Sequence, residues 1–187
     1  MVATIRTLPH YFPELFVQRL IVSTILIAVL CVVSVLLFCC KKINTAQFIG
    51  SLILSAYTIA LFYYTVFGRY SHEEYTQQIH IYVSYKYLFE HFGPQSLRQV
   101  VLNIVMLIPF GFLMPIVIKA KRKYLITLLS AFALILFIES LQLIMQCGTF
   151  EVDDIFNNFI GAVIGMLLYI LPNKLIQKQK LKGNHYE

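Results

Sequence analysis

The chain has 187 residues, 59% of them hydrophobic and 13% charged, roughly half the charged share of a soluble domain. Apolar runs recur from end to end, which excludes a soluble globular domain and points to a polytopic, all-α integral membrane protein. The net charge of +6 does not point to a nucleic-acid partner, because the basic residues sit beside apolar runs rather than over a soluble surface.

Residues 1–16 mix Arg6, Pro9, His10, Pro13 and Glu14 with aromatics and read as a short interfacial lead-in. The apolar run that follows is too long for the core of a signal peptide, and no small-x-small cleavage site follows it. The first span is about 16–40, stopped by Lys41 and Lys42. The second is about 48–67, ending at Gly68-Arg69. Residues 70–99 form the long polar segment, rich in tyrosine and histidine and too polar to span. Its middle, Ile79 to Phe89, alternates only in part, so a short strand and an interfacial segment are equally open. Gly93-Pro94 marks a turn.

The third span is about 100–118. Asn103 lies one turn inside it, and Pro109 should kink it by removing a backbone hydrogen bond. Lys119 to Lys123 closes it. The fourth span is about 124–146, followed by a turn from Cys147 to Asp153. The fifth is about 154–171, ended by Pro172, and the basic tail 173–187 should fray. The whole is read as one membrane domain. With five spans, the Lys41-Lys42 loop, the Lys119–Lys123 loop and the lysine-bearing tail share one side. The positive-inside rule makes that side cytoplasmic, with the N-terminus outside and the C-terminus inside.

Polar side chains inside these helices mark the candidate site. Glu139 and Gln142 are three apart and share one face. Asp154, Asn158, Gly161 and Gly165 step by four, three and four, so they share another. A carboxylate near the bilayer centre costs roughly 2.5–3.5 kcal/mol on insertion scales, so such groups face protein or water. With the 1.5 Å helical rise, Arg69, Asn103, Glu139, Gln142, Asp154 and Asn158 can lie within roughly 10–12 Å of the outer boundary. A polar intramembrane site open to the outer side is the economical reading. The bland one is a packing network: amides tie membrane helices together, an aspartate caps the fifth helix, and Gly161-x-x-x-Gly165 packs closely. Arg69 can equally be an anchor that snorkels to the headgroups. Packing alone seldom requires a glutamate inside a helix, which favours a site.

No metal site is expected. The histidines His72, His80 and His91 lack ligand spacing, and Cys31, Cys39, Cys40 and Cys147 read as small residues within or beside apolar runs. No motif calls for a cofactor.

Three blocks carry a resemblance: Asn103-Ile-Val-Met-Leu-Ile-Pro-Phe-Gly111, Glu139-Ser-Leu-Gln142, and Asp154-Ile-Phe-Asn-Asn-Phe-Ile-Gly161 with Gly165. In order and interval they resemble the VanZ-like family of bacterial membrane proteins, over about Arg69 to Leu171. The family's polar positions then fall on Asn103, Glu139, Gln142, Asp154 and Asn158. Two features depart from the family pattern. Many members carry an arginine in the turn before the aspartate, where Gly148-Thr149-Phe150 has none. Many also carry an Asn-Leu-x-Pro-Phe segment, where Tyr82–Tyr87 lacks the proline.

The resemblance implies a multi-pass protein of the bacterial cell membrane linked to resistance to teicoplanin-type glycopeptides. On this reading it is a non-enzymatic factor that binds a lipid-linked or lipophilic ligand in the outer leaflet, or serves cell-envelope homeostasis. Membrane lipids, a cell-wall precursor, a lipid-linked polymer and a lipoglycopeptide are the partner classes. Two alternatives stand beside it. One is an intramembrane enzyme on a lipid-linked or headgroup substrate, with Glu139 and Asp154 as acid and base. The other is a small transporter or flippase, which the want of an internal repeat disfavours.

Overall fold

The computed structural model describes residues 25, 28–29, 32–67, 77–78, 94–145 and 150–183. Four helices among them are long and apolar enough to cross a membrane: Thr45–Val66, Leu97–Val117, Lys123–Leu143 and Val152–Asn173. The protein is an all-α membrane protein. The only strands among the described residues are two-residue pieces, β1 (Gln77–Gln78) and β2 (Phe150–Glu151), paired in parallel. The first predicted span lies partly outside the described residues, and its described stretch 32–39 is helical.

That stretch ends where Lys41 takes a left-handed backbone, with φ of 54°. Lys42 N–H donates to the Leu37 carbonyl at 3.0 Å and Lys41 N–H to Phe38 at 2.9 Å, the paired bonds of a Schellman stop. A lysine there accepts a backbone that glycine usually supplies, which costs roughly 1–2 kcal/mol. The next helix, α1 (Thr45–Phe62), starts at once. Asn44 and Gln47 form a reciprocal capping box, each side chain accepting from the other's backbone N–H, at 2.8 and 3.1 Å. Gln47 Nε2 also donates to the Val117 carbonyl at 3.2 Å, which joins the start of α1 to the end of α2. The last turn of the second span, Tyr63–Phe67, is π-helical.

Helix α2 (Pro94–Val117) begins earlier than the hydropathy indicates. Residues 94–99 were expected in the polar segment but are helical. Proline at the first helical position has no N–H to leave unsatisfied, and Gln, Leu and Arg behind it are good helix formers. The helix runs unbroken through Pro109 and Pro115. Proline at 109 leaves the Val105 carbonyl without its helical donor, a loss that membrane helices offset with neighbouring groups. Beside that gap, the Tyr57 hydroxyl donates to the Met106 carbonyl.

Helix α3 (Lys123–Met145) follows after five residues, a connection short enough to force an antiparallel neighbour. Helix α4 (Val152–Gly183) corrects two expectations. Pro172 lies inside it rather than at its end, and the tail continues as helix to residue 183. Proline in a helix interior costs about 3 kcal/mol, but the residues beyond it are mostly Leu, Ile, Gln and Lys, which support helix. At 1.5 Å per residue the helix is roughly 48 Å long, well beyond a hydrocarbon layer of about 30 Å.

Helix α2 touches each of the other three, and its contact with α4 is the most extensive. The core is Leu61, Val66, Leu107, Phe110, Ala131, Ile135, Ile138 and Ala162, drawn from all four helices. Phe62 meets Phe137 edge-on, and Phe132 meets Phe159 in the same way, which joins α3 to α1 and to α4. The outer faces carry exposed Ile53, Val105, Leu129, Phe137, Ile160 and Leu168, as a lipid-facing surface requires.

Candidate functional site

Of the twelve buried polar residues among those described, eight gather at one end of the bundle. Thr65 is one residue from the end of its span, and Gln142 is one from the end of its own. Glu139 lies four residues from that end, and Asn103 lies six residues into its span. Asp153, Asp154, Asn157 and Asn158 occupy the first seven residues of α4. Six residues of helix span about 9 Å, so all eight side chains lie in one layer. Each is no more than 5% exposed, so they face protein rather than lipid.

Two bonds tie the layer together across long stretches of chain. Asn103 Nδ2 donates to Asp154 Oδ1 at 2.5 Å, from α2 to the first turn of α4. Gln142 Nε2 donates to the Thr65 carbonyl at 3.0 Å, from α3 to the π-helical turn. Such π turns recur at functional sites because they disturb the regular backbone ladder. Asp153 and Asp154 lie in the first turn of α4, where exposed amides and the helix dipole favour an anion. Asn158 Oδ1 is buried and accepts no hydrogen bond from the described residues. Glu139 is 3% exposed and lies on the same buried row as Ile135, Ile138 and Gln142.

The glycines set how closely the layer closes. A Cβ added at Gly161 would collide with the Ile104 carbonyl oxygen, and one at Gly165 with that of Ile108. One at Gly111 would meet the Ala162 carbonyl. Backbone therefore lies on backbone between α2 and α4, the close approach that small residues permit in membrane helices. This contact brings Asn103 within reach of Asp154, since both precede it at the same end of two helices that run in the same direction.

Of the sequence-selected residues, Asn103, Glu139, Gln142, Asp154 and Asn158 share this layer, and Gly161 and Gly165 line the adjoining contact. Arg69 lies outside the described residues. Thr65, Asp153 and Asn157 were not selected. The burial pattern of α4 explains two of them: 153–154, 157–158, 161–162 and 165–166 are all buried, a double row four residues apart. One row meets α2, and the second is covered because α3 packs alongside. Thr65 enters through its carbonyl, which no side-chain pattern reveals. Among the described residues no three His, Cys, Asp or Glu are grouped to hold a metal ion.

The model of the VanZ/LLP1 family matches residues 25–173, more than half of the chain. The chain belongs to the VanZ/LLP1 family. Over 90 residues it is 31% identical to Protein VanZ of Enterococcus faecium. That alignment covers 46% of this chain and 53% of the other, so the two correspond over about half of their lengths. No solved structure matches this VanZ/LLP1 chain.

Proposed function

We propose that this VanZ/LLP1 protein works in the bacterial cell membrane by binding a lipid-linked or lipophilic ligand at its buried polar layer, and so contributes to resistance to teicoplanin-type glycopeptides or to envelope homeostasis. The observation that carries the reading is the layer itself: eight buried polar side chains from every described span, at one depth and one end. Packing needs neither so many nor three carboxylates among them, given the cost of each in a membrane helix. The unsatisfied Asn158 Oδ1 fits a ligand that donates a hydrogen bond. The positive-inside rule, applied to Lys41, Lys42 and Lys119–Lys123 at the opposite end, turns the layer to the outer side. Glycopeptides act there on wall precursors.

Acid–base chemistry by Glu139 and Asp154 is the second reading, favoured by the burial of both carboxyl groups in one layer. One experiment bears on both. A strain lacking the protein receives wild type, Glu139→Gln, Asp154→Asn or Asn158→Ala, with membrane abundance measured alongside teicoplanin susceptibility. Binding predicts lost resistance in all three at normal abundance. Loss in the two carboxylate variants alone favours chemistry. Full resistance from both carboxylate variants would overturn the site.

A further inference from the structure

At the end opposite the polar layer, three parts of the chain bring cations together. Lys41 and Lys42 form the turn before α1, and both are exposed. Lys119, Lys121 and Arg122 lie exposed in the turn between α2 and α3, and Lys123 opens α3. The two turns are neighbours, because Gln47 Nε2 holds the Val117 carbonyl and Gly50 lies beneath Ile116, where an added Cβ would be 3.2 Å from its Cγ2. Helix α4 reaches the same end: Lys123 Nζ donates to the Tyr169 hydroxyl at 3.0 Å.

Among the described residues these six cations have no acidic counterpart nearby. The sequence holds no Asp or Glu in residues 15–72, 91–138 or 155–186, which include every described segment at this end. The described carboxylates all sit toward the far end of the helices; Glu139, on the same helix as Lys123, is roughly 24 Å from it by helix rise. Anions from outside the protein would ease the repulsion among these clustered cations. Their position selects which anions. Each cation adjoins the terminus of a membrane-spanning helix, at headgroup level. The rings of Tyr124 and Tyr169, 5.3 and 4.8 Å from Lys123 Nζ, add the amphipathic aromatics that settle at that level. Clusters of four or more Lys or Arg beside a membrane helix attract anionic lipid.

We propose that this basic end, Lys41, Lys42, Lys119, Lys121, Arg122 and Lys123, binds anionic phospholipid headgroups. The site is separate from the buried polar layer and does not depend on the function assigned to it. The test follows the thermal unfolding midpoint of the full chain in neutral detergent. Phosphatidylglycerol, phosphatidylcholine or inorganic phosphate is added at equal phosphorus concentration. A ligand that binds only the folded state raises the midpoint, here by an expected shift on the order of 5 °C with phosphatidylglycerol. Phosphatidylcholine should give less than half of it, and 0.5 M salt should reduce it. Lys119→Gln/Lys121→Gln/Arg122→Gln should lose most of the shift while matching wild type in phosphatidylcholine. Should the triple variant not fold, Lys121→Gln/Arg122→Gln changes only two exposed turn residues and should lose part of it. Arg98→Gln, at the opposite end, should keep all of it. Equal shifts with both lipids, a full shift in the triple variant, or the same shift from inorganic phosphate would overturn the proposal.

Discussion

Asn103 and Asp154 form a side-chain pair that the sequence selected at both ends and the structure joins. Interhelical hydrogen bonds in membranes average about 0.6 kcal/mol, because the unpaired groups find other partners. A buried carboxylate that loses a donor is costlier, about 1–3 kcal/mol. Asn103→Ala should therefore destabilise the protein by about 1–3 kcal/mol, at the upper side of the membrane range. Adding Asp154→Asn should recover part of the loss, because a neutral amide needs the donor less. Thermal unfolding of the two single variants and the double variant gives the coupling. Additive effects would mean that the bond contributes nothing specific. Which residue types are out of place was legible in the sequence, since amides and carboxylates inside apolar helices stand out. Their partners were less so. Gln142 bonds a backbone carbonyl at Thr65, and Asn157 sits on the second buried row of α4, which only the packing of α3 creates.

At the scale of the helix, α2 and α4 are fitted by absence of side chains. Gly111, Gly161 and Gly165 each face a carbonyl oxygen on the partner helix, and none of those backbones can move aside without displacing the whole helix. Gly161→Leu should sharply lower the amount of folded protein, and Gly165→Leu likewise. Gly50→Ala is the contrast: its Cβ would meet a side-chain methyl of Ile116 at 3.2 Å, which can shift by a few tenths of an ångström. That variant should lose under about 1.5 kcal/mol, in keeping with a small change of volume. Membrane abundance and unfolding midpoints separate the two cases, and a stable Gly161→Leu protein would refute the close contact. The four-residue spacing of Gly161 and Gly165 was visible in the sequence, but not which helix they met. Helix ends were the least legible feature. Proline at 172 suggests a stop, yet helix formers follow it, and Pro94 takes a first helical position instead.

Across the whole molecule, charge and polarity divide between the two ends. The acidic residues described, Glu139, Glu151, Asp153 and Asp154, lie at one end, and Lys41, Lys42 and Lys119–Lys123 at the other. Arg98 is the described cation on the acidic side. The pair of β1 with β2 places part of the polar segment 70–99 beside the turn that leads into Asp153 and Asp154, so that segment and the buried layer share an end. This division was legible from the sequence because charges cluster by loop, whereas the strand pair was not, since two residues carry no periodic signal. The division predicts an orientation. Lysine and arginine in short loops hold a membrane protein's basic side in the cytoplasm. Reporter fusions after Lys42, after Arg122 and at the C-terminus should therefore all report cytoplasm, and one placed after Gly148 should report the outside. The fusions after Arg122 and Gly148 flank α3 alone, so opposite signals from them establish that one crossing without reference to the first span. An outside signal after Arg122 would invert the molecule. The polar layer would then open to the cytoplasm, and a ligand in the outer leaflet could no longer be its partner.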